Sequence, residues 1–247
     1  MKLCAVQLAS RKGDLAGNLQ RHLHAIEQAA ALGAELLVFP ELSLSGYEPT
    51  LARQLAMAPD AALLAPLQAL CDRLGVSAAI GVPLTAPAGG VRIGMLVLRP
   101  LQAPLSYAKQ RLHADELDFF VPGDQPLVFS SGPLQLAPAI CYESMFIEHA
   151  ENAQALGAQL YLVSVAKTTK GIREGFEHYP HVARTLGMPV LMVNGVGPAD
   201  TFVNAGESAA WDGQGNLLAS LDATAEGLLL LDTHAASAVA HPLRLAP

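Results

Sequence analysis

Three residues of chemically capable types each follow an apolar run. Glu41 comes after LLVF and a proline. A carboxylate at the end of a fully apolar strand is partly desolvated, which raises its pKa and makes it a better base. Cys141 follows LQLAPAI and precedes Tyr142-Glu143-Ser144 and a stretch of helical character. A thiol between a strand end and a helix N-terminus meets backbone N–H groups and the positive end of the helix dipole, which favour a thiolate or an oxyanion. Lys109 follows LSYA and opens an irregular stretch containing Asp115, Glu116 and Asp118. Phe119-Phe120 and the Pro122-Gly123 turn there point to an ordered, partly buried loop. Each residue also has an ordinary counterpart: a loop glutamate facing water, a core cysteine, a solvated lysine. Cys4 and Cys71, inside apolar or helical segments, fit the core reading.

The elements that must position these groups recur. A helix-like stretch, then Leu-Gly, then a short apolar run occurs at ALGAELLVFPE from Ala31, RLGVSAAIGVP from Arg73, ALGAQLYLVSVAK from Ala155 and TLGMPVLMVNG from Thr185. Gly33, Gly75, Gly157 and Gly187 can take positive φ just past a helix end, so that the chain turns directly into a strand. Before Gly33, the residues Leu15, Leu19, Leu23 and Ile26 hold helical spacing, with His22 and His24 beside that stripe. The runs at 36–39, 78–82, 160–165 and 190–193 lack strict alternation, as strands covered on both faces do. Further strands are predicted at 3–8, 93–98 and 134–140, and hairpin-like material around Asp212-Gly213 and Gly215-Asn216. The pattern is a helix–strand layered fold with two related halves. No linker divides it, so the 247 residues read as one domain with ample length for a core.

Composition excludes several classes. The chain carries 22 acidic and 15 basic residues, a net charge of −7, and no basic cluster, which argues against a nucleic-acid or anionic-membrane partner. No apolar run approaches the ~18 residues of a spanning helix. The start, MKLCAVQLAS, has too short an apolar stretch for a signal peptide. Three scattered cysteines make neither a disulfide framework nor a zinc site. A cytoplasmic location and no metal are expected.

Taken in order, the three segments resemble the carbon–nitrogen hydrolase family, also called the nitrilase superfamily. The resemblance rests on FPEL at 39–42, on Tyr107-Ala108-Lys109 with Leu112 after it, and on ICYE at 140–143. It extends to the opening AVQL, Gly46-Tyr47, VPGD at 121–124 and Asn194-Gly195-Val196-Gly197, and so spans most of the chain. It implies an α-β-β-α sandwich, in agreement with the four helix–strand units. Carried onto matching positions, it implies Glu41 as general base, Lys109 as catalytic lysine and Cys141 as nucleophile. Glu116 matches a second glutamate of many members. In that chemistry Glu41 takes the thiol proton, the Lys109 ammonium and the Tyr142 backbone N–H hold the oxyanion, and water hydrolyses the thioester. No metal or organic cofactor is implied. The chain departs from the common pattern at Glu143 (often Asp), Ile147 (often Pro) and Arg111 (often His). Nitrilases proper share the Glu but favour Trp at the position of Tyr142.

The implied activity is hydrolysis of a small non-peptide amide, of ω-amidase or N-carbamoyl amine hydrolase type, with release of ammonia. Nitrile hydrolysis, acyl transfer and a catalytically silent protein of the same fold are the alternatives. Tyr47, Tyr142, Lys167, His178 and Asn194 are candidate substrate-binding residues, with Thr168 near them. Lys167 or Arg173 offers a cation for a substrate carboxylate, although solvated loop charges fit these positions equally. Relatives of this kind assemble, so a homodimer or larger homo-oligomer is expected. The apolar tail from Thr233 either crosses to a partner or packs on its own domain. Other chemistries fit poorly. His178 and His181 flank Pro180, which is expected to break helical geometry, and no further ligands accompany them. Pro198 and a missing third glycine spoil a dinucleotide loop at Gly195, and no G-x-S-x-G elbow is present.

Overall fold

The computed structural model describes residues 1–244. The chain begins with β1 (Lys2–Gln7), α1 (Leu15–Ala31), β2 (Leu36–Val38), α2 (Ala52–Leu55) and α3 (Ala65–Leu74), then β3 (Ser77–Thr85), β4 (Val91–Arg99) and β5 (Gln102–Ala108). It continues with β6 (Phe129–Ser131), β7 (Leu134–Ile140), α4 (Ile147–Ala155), β8 (Leu160–Val165), α5 (Thr169–Leu186) and β9 (Val190–Asn194). The last strands are β10 (Val196–Ala199), β11 (Phe202–Ala205), β12 (Ala209–Trp211), β13 (Leu217–Ser220), β14 (Gly227–Asp232) and β15 (Ser237–Pro242).

Two sheets result. One has the order β15-β14-β1-β2-β3-β4-β5, the other β13-β12-β9-β8-β7-β6. Each contains three consecutive parallel strands, β1-β2-β3 and β7-β8-β9, with antiparallel strands outside them. Helices cross between the parallel strands, as parallel pairing requires. This is the basis of the two related halves. Residues alternate between two buried environments. From β1, Leu3 and Ala5 join Leu36, Ile93, Leu162 and Val193 in the core between the sheets. Cys4 and Val6 face the other way, onto Ile26 of α1 and Leu67 of α3. Across the second sheet, Tyr161 and Val163 pack on Ala150 of α4 and on Ile172 and Val182 of α5. The architecture is the expected α-β-β-α sandwich. Cys4 and Cys71 lie in the core against α1 and α3, where burial pushes both thiols up, Cys71 to about 12.

The four Leu-Gly glycines all have φ between 61° and 97°. Asp212 accepts from the backbone of Gln214 and Asn216, closing the expected hairpin between β12 and β13. Two expectations are corrected, and one of the two readings of the tail is observed. Pro180 lies inside α5, which continues to Leu186 because Ile172, Tyr179, Val182 and Ala183 bury one face. The thiol of Cys141 does not cap α4: a five-residue 3₁₀ turn (Cys141–Met145) intervenes. The tail supplies β15, an edge strand on β14, while residues 245–247 of it lie outside the described residues. No helix among the described residues is long and apolar enough to cross a membrane.

Polar ties cross between the sheets near the strand ends. Ser164 Oγ of β8 donates to the Phe39 carbonyl at 2.8 Å. Ser208 donates from N and Oγ to Gln7 Oε1 of β1 at 2.9 and 2.8 Å. Behind Phe39 the His22 ring stacks at 4.3 Å. His22 Nδ1 donates to the Asn18 carbonyl at 2.7 Å, and its Nε2 accepts from Ser43 Oγ at 2.9 Å. Burial holds this imidazole neutral, lowering its pKa from 6.5 to about 4. The unfolded chain therefore takes up a proton that the native chain refuses. Stability present above pH 6.5 is lost as pH falls towards 4, by about 3 kcal/mol from this residue. Urea unfolding of wild type and His22→Gln at pH 7 and pH 4 checks this: the variant shows the flatter acid limb.

Candidate active site

The carboxyl ends of β2, β5, β7 and β8 meet at one end of the sandwich, and each delivers one polar side chain. After β2 the backbone turns sharply. Phe39 N donates to Ala79 O and Leu44 N to Gly81 O, and Leu42 takes φ 51°. This passage is so close to β3 that a Cβ on Gly81 would lie 2.3 Å from Pro40 O and 2.5 Å from Leu42 N. The turn aims Glu41 inward, where it is buried. Lys109 leaves β5 with its N–H on Ile93 O at 2.9 Å and its carbonyl accepting from Gly123 N at 2.7 Å. Cys141 leaves β7 with φ 48°, a left-handed conformation strained for a side chain with a Cβ.

These turns bring the charges together. Lys109 Nζ donates to Glu41 Oε1 at 2.8 Å and to Glu116 Oε1 at 2.6 Å, with the lysine completely buried. Glu116 sits in the short 3₁₀ turn Ala114–Glu116 and accepts further bonds from Tyr47 OH at 2.8 Å and His113 N at 2.8 Å. Burial raises the Glu41 carboxyl above its ordinary range; Lys109 opposes this and Glu116 adds to it. Burial alone would lower Lys109, but Glu41, Cys141 and Glu116 outweigh it and hold the ammonium well above its usual value. Glu41 Oε2 is buried with no hydrogen-bond partner. Cys141 opens partly to a cavity, yet its thiol lies among buried groups. Burial and the Glu41 carboxylate push it up to about 11, against the pull of Lys167 and Lys109. At neutral pH the resting group is the thiol.

The cavity measures about 400 Å³ and is lined by Tyr47, Lys109, Glu116, Cys141, Tyr142 and Lys167. Glu41 stands behind this lining, and the candidate substrate-binding residues Asn194 and His178 do not line the cavity either. Asn194 is fully buried beneath it, with Oδ1 accepting from Lys167 N at 2.9 Å and Nδ2 donating to Lys167 O and Gly206 O at 3.0 Å. His178 Nε2 donates to the Ser144 carbonyl at 3.0 Å, behind the thiol's 3₁₀ turn. Both support the wall instead of facing the cavity. Arg173 is exposed and is also absent from the lining. Sequence reasoning missed His113, Met145 and Phe202, which complete an aromatic and apolar rim. Phe202 projects from the β10-β11 hairpin, whose two-residue turn Asp200-Thr201 was a readable signal. Among the described residues no group of three or more His, Cys, Asp and Glu is placed to hold a metal ion.

Glu143, two residues beyond the thiol, ties two of these turns together. Its Oε1 accepts from Ile140 N and Tyr107 OH, both at 2.7 Å. Its Oε2 accepts from Gln110 N at 2.6 Å and Arg111 N at 3.4 Å. One buried carboxylate thus joins the backbone entering Cys141 to the backbone leaving Lys109.

The model of the family described as carbon-nitrogen hydrolase matches residues 2–240. The chain belongs to the carbon-nitrogen hydrolase family. It is a hydrolase of carbon–nitrogen bonds other than peptide bonds. An (R)-stereoselective amidase from Pseudomonas sp is 33% identical over 231 residues, 88% of this chain and 80% of that protein. A glutamine-dependent NAD(+) synthetase from Xylella fastidiosa is 28% identical over 94% of this chain, which spans only 44% of the synthetase. An amidase from Nesterenkonia sp. AN1, in a Cys-to-Ala variant complexed with butyramide, superposes with a TM-score of 0.86 at 30% identity, covering 95% of this chain and 91% of that one. A Glu-to-Gln variant of that amidase shows covalent addition of the acetamide moiety of fluoroacetamide at its active-site cysteine (TM-score 0.85, 30% identity, 94% and 89% coverage).

Replacing Glu143 by Ala strands the backbone donors of Ile140 and Gln110 and leaves Tyr107 OH with His149 Nε2 as its one remaining partner, at 3.0 Å. The expected loss is about 2–4 kcal/mol of stability. Guanidinium unfolding of Glu143→Ala measures it, and an unchanged midpoint would show that the tie is idle.

Proposed function

We propose that this enzyme hydrolyses a small amide through a cysteine thioester, with Cys141 as nucleophile, Glu41 as general acid–base and Lys109 as oxyanion donor. The observation that carries the reading is the pairing of Lys109 Nζ with Glu41 Oε1 at 2.8 Å on the wall that also presents Cys141. A thiol held up to about 11 attacks slowly unless its proton is removed in the same step. Glu41 supplies an unpartnered buried oxygen, and burial makes its carboxylate a stronger base than an exposed one. As the S–C bond forms, the thiol proton passes to Glu41 and the carbonyl oxygen gains negative charge. Lys109 and the backbone N–H of Tyr142, in the first turn of its 3₁₀ segment, stand to receive that charge.

The C–N bond then breaks and Glu41 returns the proton to the departing ammonia. Water, deprotonated by Glu41, cleaves the thioester and regenerates the thiol. Glu116 is a positioning residue in this scheme. It gives the Lys109 ammonium a second buried partner and holds its direction. Tyr47, Tyr142 and Lys167 contact the acyl portion. The finer activity is of ω-amidase or N-carbamoyl amine hydrolase type. The amidase names of the relatives favour an amide over a nitrile as substrate.

Ammonia release from a panel of short amides, N-carbamoyl amines and nitriles tests this directly. Wild type releases ammonia from at least one amide or carbamoyl compound, and Cys141→Ala releases none. Release from nitriles alone would replace the reading with a nitrilase. Glu41→Gln loses turnover by about 10²- to 10⁴-fold, as removal of a general base does. Its thiol should still be alkylated by fluoroacetamide, as in the Nesterenkonia variant. The raised Glu41 carboxyl also sets a direction for pH. The acid limb of kcat/KM lies above the ordinary carboxylate range, because activity requires the ionised form and burial disfavours it.

A further inference from the structure

Lys167 lines the cavity, yet no step of the bond-breaking chemistry needs it. Its backbone is clasped by Asn194 at N and O, and it directly precedes Thr168, the N-cap of the 18-residue helix α5. Its stem lies along the first turn of that helix. A Cβ on Gly171 would approach Lys167 Cγ at 3.3 Å and Cδ at 3.6 Å, so the absence of a side chain there leaves the stem its path. Only 8% of Lys167 is exposed, and among the described residues its ammonium forms no ion pair with a carboxylate. Lys109, by contrast, has two.

The carboxylates around the same cavity are engaged elsewhere. Glu41 and Glu116 bind Lys109. Asp115 is bonded to His113 Nδ1 at 2.6 Å, and Glu174 lies 3.8 Å from Lys170; both are largely open to solvent. An ammonium without a counter-ion on a cavity wall is only partly solvated, and the positive end of the α5 dipole adds to its cost. An anion between them reverses both effects. It would face the ammonium and the N–H groups of Thr169 and Lys170, which have no acceptor inside the helix.

We propose that Lys167 and the first turn of α5 form a carboxylate subsite, which selects amides whose acyl chain ends in a carboxylate. The proposal rests on the amidase reading above and names its substrate class. The volume of about 400 Å³ and the rim of Tyr47, Tyr142 and Phe202 suit a short acyl chain reaching from Cys141 to this wall.

The test compares kcat/KM for glutaramate and for neutral butyramide, with glutamine as a third substrate that adds an α-ammonium group. Wild type prefers glutaramate. Lys167→Met lowers the glutaramate-to-butyramide ratio by about 10- to 100-fold, the expected loss for one charge-assisted contact, and Lys167→Arg keeps most of it. A second measurement is independent of turnover: glutarate binds to Cys141→Ala in calorimetry, and adding Lys167→Met abolishes the binding. An unchanged ratio in Lys167→Met would overturn the proposal, because Lys167 would then act on the thiol and not on the substrate. Wild-type preference for butyramide would overturn it as well. Silence on all amides together with Lys167-dependent glutarate binding would remove the amidase reading and leave the subsite standing.

Discussion

A lysine ammonium with no contact to solvent and two carboxylates against it organises this end of the molecule. Separately, each of these charges would be costly to bury, and together they leave one negative charge in excess. Such a cluster is stable only where the geometry of every partner is held, so the surrounding turns have little freedom. Gly81 lets the backbone of β3 pass under the Glu41 turn, and Glu116 is itself fixed by Tyr47 and the His113 amide. The excess negative charge also bears on the thiol. Burial first, and the Glu41 carboxylate after it, keep Cys141 protonated at rest.

The strained backbone of Cys141 follows the same logic. A residue with φ 48° has no intrinsic reason to adopt that conformation, and it persists because its neighbours over-determine it. Glu143 holds the amide of Ile140 on one side. On the other, Ser144 Oγ donates to the Cys141 carbonyl at 2.6 Å and meets Tyr179 OH at 2.9 Å. Tyr179 belongs to α5, so the helix that carries Lys167's wall also steadies the turn that holds the Cys141 thiol.

Much of this was legible in the residues. The Leu-Gly repeats announce helices that turn into buried strands, and the ends of those strands marked Glu41 and Cys141 before any contact was known. Lys109 and Glu116 needed the family resemblance, because a lysine among loop carboxylates reads first as solvated. The misplacements share one cause. Asn194 closes β9, where ligand-binding residues gather, and His178 lies well inside α5, but position along a chain does not say which way a side chain turns. Asn194 turns under Lys167 and spends its amide there. Pro180 misled because packing of the α5 face outweighs one missing helical hydrogen bond. The strands of the β10-β11 hairpin were hidden by Gly197, Pro198 and Asn204, which weaken the strand signal, although the turn at Asp200-Thr201 that presents Phe202 was readable.

The site is divided between the layers of the sandwich. Glu41 and Lys109 hang from one sheet, Cys141 and Lys167 from the other, and Ser164 reaching the Phe39 carbonyl is among the bonds that keep the two in step. A slide of one sheet over the other by a fraction of a strand spacing would leave the two helix-facing cores largely intact while moving the Cys141 thiol away from the Glu41 carboxylate. Registration between the layers is therefore a mechanical tolerance on turnover. The enzyme can lose its chemistry to misalignment well before it loses its fold.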